Sequence, residues 1–325
     1  MTDRTRQLVS IVVPALNEGP NIPALLARMD RFVELNPAYD FELVVVDDGS
    51  TDDTVEATVT AATGHGFATK VVRLARNFGS HQAISAGFHA ATGDAAIVIG
   101  ADAQEPVGLV TEFLDEWERG SDVVWGVRRT RVGRSRRAEL LSKTFSYLFT
   151  RFARLDNYPP EGPSGMLITR LVIDQVNQMP ERNRNVMALV AWLGYRQTRV
   201  EYDQEERQHG ESRWTRAKMI QLAVDSMLQF SSMPLRACVY AGLAFAVLAV
   251  IYAAVLVGRT LAGVDTPSGW PTLLVVVVLL GGVQLVMIGI VGEYLWRAVD
   301  EVRRRPLYVV RDVLRVPHSV EKELS

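Results

Sequence analysis

Two stretches of the chain carry no charged side chain: Ala237 to Gly258, 22 residues, and Thr272 to Gly292, 21 residues. At about 1.5 Å of rise per residue, either run would reach roughly 30 Å as a helix, the depth of a hydrocarbon core. Buried core helices are usually shorter and keep a polar edge, so the pattern predicts transmembrane helices over 237–258 and 272–292. The link from Arg259 to Pro271 contains Gly263, Pro267, Gly269 and Pro271, which predicts a hairpin with both long flanks on one side. Arg213, Arg216, Lys218 and Arg236 precede the hairpin and Arg297, Arg303, Arg304 and Arg305 follow it, whereas Asp265 offsets the link's Arg259. The positive-inside bias then assigns the large N-terminal part and the tail, and so both termini, to the cytoplasm, with the hairpin in the cell membrane. The N-terminal apolar run, Leu8 to Leu16, is short, is broken by Pro14 and does not read as a signal peptide.

The remaining composition is ordinary for a folded chain. With 35 Lys+Arg against 37 Asp+Glu, the net charge of -2 argues against a general nucleic-acid binder. One cysteine, Cys238, rules out an intramolecular disulfide and reads as a space-filler in an apolar run. A chain of 325 residues has room for two units. The expected division is a cytoplasmic folded domain over 1–212, a juxtamembrane amphipathic helix over 213–235, the membrane pair within 236–297 and a tail over 298–325.

The first 130 residues follow another pattern. LVSIVVPA, FELVVVDD, KVVRLA, AAIVIGAD and SDVVWGV are short β-branched runs, each followed by turn residues and a segment of helical length, such as Asn21 to Leu35 and Ser80 to Ala91. Continuous apolarity fits strands buried on both faces, which predicts an α/β fold with a mostly parallel sheet. Ligands of such sheets sit beyond the carboxyl ends of the strands. Asn17 and Glu18 fall there after the first strand, Asp47 and Asp48 after the second, and Asp102 and Gln104 after the fourth. The chain has no GxxxxGK[ST], no complete GxGxxG, no HExxH and no paired CxxC, which argues against a P-loop, a dinucleotide fingerprint and catalytic zinc. Carboxylate and amide oxygens suit a base N–H, ribose hydroxyls, or Mg²⁺ or Mn²⁺ carrying a diphosphate. Asp47-Asp-Gly-Ser-Thr-Asp52 also suits a simple turn and helix cap.

Taken in order, Val13-Pro-Ala-Leu-Asn-Glu18, Val46-Asp-Asp-Gly-Ser-Thr-Asp52, Arg76-Asn-Phe-Gly79, Ala86-Gly87, Thr92-Gly-Asp94 and Asp102-Ala-Gln-Glu-Pro106 resemble the family 2 glycosyltransferases of GT-A, Rossmann-like fold. Gly126-Val-Arg128-Arg and Arg207-Gln-His-Gly-Glu-Ser-Arg213, followed by the apolar pair, are similar to the polyprenyl-phosphate hexosyltransferases. That resemblance, spanning about residues 8 to 310, implies transfer of one sugar from a UDP- or GDP-hexose to a polyprenyl phosphate, with inversion, in cell-envelope glycan synthesis. By position it implies that Pro14, Ala15, Asn17, Glu18, Val46 and Asp48 line the nucleoside pocket. Asp102 and Gln104 would hold Mg²⁺ or Mn²⁺. Arg128, Arg184, Arg207 and Arg213 would contact donor and acceptor phosphates, and Ser164 would donate a hydrogen bond to the lipid phosphate. Arginine suits the task, being always charged and able to grip two phosphate oxygens.

The chain departs from that pattern at three positions. Gly100 stands where the metal motif usually begins with Asp, which removes one protein ligand, and Glu105 stands where Asp is commoner. Glu161, in Glu161-Gly-Pro-Ser164-Gly165, replaces the Asp of mannosyl synthases, so no dedicated Asp base is evident. A phosphate monoester is mostly dianionic at pH 7 and offers no proton for a base to remove, so Glu161 is expected to position rather than deprotonate.

Arg136 to Leu155 and Thr215 to Met233 place apolar side chains at helical spacing with basic rims, which predicts helices lying in the membrane interface; packing on the sheet is the alternative. The tail segment Pro306-Leu-Tyr-Val-Val310 has strand character and either returns to the catalytic domain or pairs with another protomer in a homo-oligomer. Two other functions fit part of the pattern: a processive polysaccharide synthase, which lacks support because Gly210 stands where a Gln-x-x-Arg-Trp motif needs Gln, and a non-catalytic scaffold that binds nucleotide sugar, motivated by Gly100.

Overall fold

The computed structural model describes residues 6–102, 104–129, 157–159, 162–179, 181, 184–205, 233–262 and 269–316. The expected interfacial helices, at 136–155 and 215–233, lie outside the described residues, apart from Met233 itself. The chain divides into two compact units, Met1–Ser226 with Pro306–Ser325, and Met227–Arg305.

The first unit is built on eight strands: β1 (Gln7–Ala15), β2 (Tyr39–Asp47), β3 (Ala68–Leu74), β4 (Ala95–Val98), β5 (Val123–Arg128), β6 (Gly165–Thr169), β7 (Gln197–Tyr202) and β8 (Val310–Val316). They form one sheet in the order β7-β5-β6-β4-β1-β2-β3-β8. β1 runs parallel to β2 and β4, β2 to β3, and β5 to β7. β6 is antiparallel to both β4 and β5. The sheet is therefore mixed, with its central β4-β1-β2-β3 block parallel as the continuous apolar runs predict. The tail does return to the sheet, but its strand lies beyond the expected Pro306–Val310 and shares only Val310 with it: β8 pairs antiparallel with β3, Thr69 opposite Val316, and Arg73 reaches Asp312 at 3.2 Å.

Strand side chains alternate between two cores, one on each face of the sheet. Val9, Ile11, Val13, Leu43 and Val45 face α1 (Ile22–Leu35), α2 (Thr54–Ala62) and α4 (Gly108–Glu118) through Leu25, Met29, Phe32, Ala62, Leu109 and Phe113. Val12, Val44 and Val46 face α3 (Ser80–Ala90), α5 (Arg170–Gln178) and α6 (Val186–Trp192) through Ile84, Phe88, Ile173, Val176 and Val190. In the amino-terminal half of the parallel strands, buried Glu42 accepts from Ser10 Oγ (2.6 Å), Lys70 Nζ (2.7 Å) and the Thr92 N–H (2.6 Å). Burial alone would raise its pKa, but these bonds outweigh it and hold the carboxyl below its usual range.

His81, in the first turn of α3, has two buried ring nitrogens with no hydrogen-bond partner among the described residues. Burial lowers its pKa to about 4. Because the folded value lies below the unfolded one, the stability it protects is present above about pH 6.5 and is lost as pH falls toward 4. Replacement by leucine, His81→Leu, is expected to remove an acid-side loss of up to about 3 kcal/mol. Thermal unfolding of both proteins across pH 4.5 to 7.5 checks this: parallel pH dependences would contradict it.

The second unit contains α7 (Met233–Leu261) and α8 (Trp270–Val302). Each is long and apolar enough to cross a membrane, over Cys238–Arg259 and Leu279–Val302, and neither stretch is buried in protein. Gly242 of α7 faces Met287 of α8, where a Cβ on the glycine would stand 3.5 Å from the Met287 methyl. α8 runs ten residues beyond the expected end at Gly292. Its added turns carry a Glu293–Arg297 ion pair at i,i+4 (3.0 Å), and such a pair supports helix without apolar surroundings.

Candidate active site

Parallel pairing of β1 with β2 and β4 brings the three predicted loops to one edge of the sheet. The first two loops are stapled together. Asn17 adopts a left-handed backbone (φ 50), a conformation asparagine tolerates. Its N–H donates to Ser50 Oγ (2.8 Å), and its Oδ1 accepts from the Thr51 N–H (2.7 Å). The Glu18 N–H donates to Thr54 Oγ1 (2.8 Å), and Glu18 Oε2 accepts from Asn21 Nδ2 (2.6 Å). Asp47 accepts from the Ser50 N–H (3.0 Å), closing the turn.

Asp48 organises the next loop. Its two carboxylate oxygens accept from the Phe78 and Gly79 N–H groups, at 2.7 and 2.9 Å. Burial raises its pKa, and the two N–H donors oppose that rise. Gly49, at φ 76, lets the loops touch: a Cβ there would lie 2.6 Å from the Arg76 carbonyl carbon. Of the remaining residues expected in a nucleoside pocket, Val46 and Ala15 are buried in the two opposite cores, and Pro14 pairs in register with Val46.

The third loop carries the acidic motif. Glu105 is 5% exposed. Burial, then the Asp102 charge, push its pKa up to about 7, while hydrogen bonds from backbone N–H groups, Gly100 among them, and the Arg128 charge oppose the rise. A Cβ at residue 100 would stand 2.8 Å from Asp102 Oδ1 and 3.6 Å from Glu105 Oε1, so both carboxylates lie over the glycine. Gln104 Oε1 accepts from Gln204 Nε2 (2.5 Å), and the Gln104 carbonyl accepts from the Glu205 N–H (2.9 Å). Arg28 bonds both the Glu105 carbonyl and the Glu205 carboxylate, tying the motif to the segment after β7.

Arg128 ends β5 beside this acidic pair, and its buried Nε has no hydrogen-bond partner among the described residues. Ser164 immediately precedes β6, where Gly126 and Gly165 pair in register. The Ser164 Oγ lies 2.6 Å from the Tyr202 hydroxyl and 3.2 Å from the Gly126 carbonyl. Arg184 is occupied elsewhere: its guanidinium donates to the Val176, Met179 and Glu181 carbonyls at 3.3, 2.7 and 3.0 Å, closing the end of α5. These bonds account for its burial at the end of α5. Glu161, Arg207 and Arg213 lie outside the described residues. Tyr202 is the site neighbour that the sequence reading missed; its only signal is the final inward position of a short strand.

No group of three or more His, Cys, Asp or Glu gathers to hold an ion among the described residues. The donors present still fit a magnesium-like ion, which takes one or two protein oxygens and fills its octahedron with phosphate and water. Asp102 folds over the space left by Gly100, and the Gln104 amide oxygen keeps a second lone pair.

The chain thus combines a mixed α/β sheet, an acidic motif and an arginine at one strand edge, and two apolar helices toward its C-terminus. The chain belongs to glycosyl transferase family 2, whose pattern matches residues 10–176. It is similar to the "uncharacterized glycosyltransferase sll0501" of Synechocystis, 38% identical over 94% of this chain and 95% of that one. It is also similar to a bactoprenol glucosyl transferase of Shigella phage SfII, 34% identical over 93% of this chain and 97% of that one. Among solved structures, a mycobacterial protein superposes with a TM-score of 0.50 at 22% identity, covering 69% of this chain and 75% of that one.

Proposed function

We propose that this glycosyltransferase moves one sugar, with inversion, from a UDP- or GDP-hexose to the phosphate of a polyprenyl phosphate at the cytoplasmic face of the membrane. The observation that carries the reading is the edge where Asp102 and Glu105 meet Arg128, whose buried Nε lacks a partner among the described residues. A divalent ion held by the carboxylate side would neutralise a diphosphate donor from one direction and Arg128 from the other. The acceptor assignment is supported by the bactoprenol glucosyl transferase, which this chain matches over nearly its whole length, including both apolar helices.

In this reading the stapled loops at Asn17, Glu18 and Asp48 shape the nucleoside end. Asp102 and Gln104 would hold Mg²⁺ or Mn²⁺, which neutralises charge on the leaving diphosphate. Arg128, with Arg207 and Arg213, holds phosphate oxygens, and Ser164 donates to the lipid phosphate. The acceptor dianion needs no base, so the barrier falls through alignment and charge stabilisation, with Glu161 positioning the nucleophile.

A donor panel with detergent-solubilised polyprenyl phosphate, with and without EDTA, tests the proposal. One donor is expected to give a lipid-linked monosaccharide, and EDTA to suppress it. Failure of every donor to label the lipid would overturn the reading.

A further inference from the structure

Tyr202 closes β7 in parallel register with β5, its Cα opposite that of Arg128, so the two side chains emerge on the same face of the sheet. The ring is 4% exposed and stands in the core with Val124, Phe113 and Ala101. Gly126 makes room for it: a Cβ there would lie 3.4 Å from Tyr202 Cε1 and 3.0 Å from Phe113 Cζ. Its hydroxyl is 2.6 Å from Ser164 Oγ, and Arg128 stands opposite it in register at the end of β5. Burial, followed by the Glu105 charge, raises the phenol's pKa, so it remains a protonated donor at neutral pH.

Donor and acceptor chemistry orders these contacts. Arginine can only donate, so Arg128 can meet the Tyr202 oxygen only through an N–H. With the Ser164 O–H on the Gly126 carbonyl (3.2 Å), the Tyr202 O–H is directed at Ser164 Oγ. One hydroxyl thus fixes the serine at the start of β6 and stands in register beside the arginine that ends β5.

We propose that Tyr202 is a positioning residue for the acceptor, holding Arg128 and Ser164 as one receptor for the phosphate monoester of the lipid. This rests on the reading that these two residues meet that phosphate. When the phosphate arrives, Ser164 turns its O–H from the Gly126 carbonyl to a phosphate oxygen while Tyr202 keeps hold of Oγ.

Tyr202→Phe keeps the ring and removes only the bridge. In the full chain in detergent, the KM for polyprenyl phosphate is expected to rise about tenfold, with the donor KM unchanged, the scale of one lost hydrogen bond to a charged group. The thermal midpoint should stay within about 2 °C of wild type. An unchanged acceptor KM, or acceptor and donor KM rising together with a lowered midpoint, would overturn the proposal by reducing Tyr202 to packing. Direct binding of polyprenyl phosphate to both proteins provides a second measurement. If wild type formed no lipid-linked sugar, the proposed function would fail, and equal binding by wild type and variant would then sink the Tyr202 proposal separately.

Discussion

Asp102→Asn is expected to lower cation-dependent sugar transfer by about 10²–10³-fold while leaving the fold intact, the scale seen when one transition-state charge partner is removed. Asparagine preserves shape and one oxygen but removes the negative charge, and with Gly100 in the motif no neighbouring aspartate stands at that position to compensate. Unfolding stability should not fall, because Asp102 sits close enough to buried Glu105 to raise its pKa, and removing one of two like charges relieves repulsion. Formation of lipid-linked sugar across a Mn²⁺ titration, read beside the thermal midpoint, checks both halves. Activity within threefold of wild type would remove Asp102 from the site.

The site was only partly legible in the sequence. Asp47, Asp48, Asp102 and Gln104 could be placed at strand ends because continuous β-branched runs reveal parallel strands and their termini. What those side chains bond could not be read. Asp48 looks like a ligand carboxylate in sequence, and in the fold its two oxygens hold the Phe78 and Gly79 N–H groups. Arg184 looks like a phosphate contact, and in the fold it closes α5. Both are residues whose partners lie on backbone groups that no motif encodes. The antiparallel insertion of β6 between β4 and β5 was hidden because Gly165–Thr169 is only five residues long and a short apolar run does not encode its strand's direction or neighbours. That insertion is what brings Ser164 to the carboxyl ends of β4 and β5. The two apolar helices were legible because length and absence of charge suffice there, although the end of α8 was not, since its last turns are supported by an ion pair and not by apolarity.

Arg128→Ala is expected to lower kcat/KM by about 10²–10³-fold, with Arg128→Lys recovering about tenfold of that loss, because lysine restores the charge without the two-pronged grip. An Arg128→Ala enzyme that kept wild-type kcat/KM would sink the assignment of Arg128 to the phosphates, and with it the reason for Tyr202 to hold it in place.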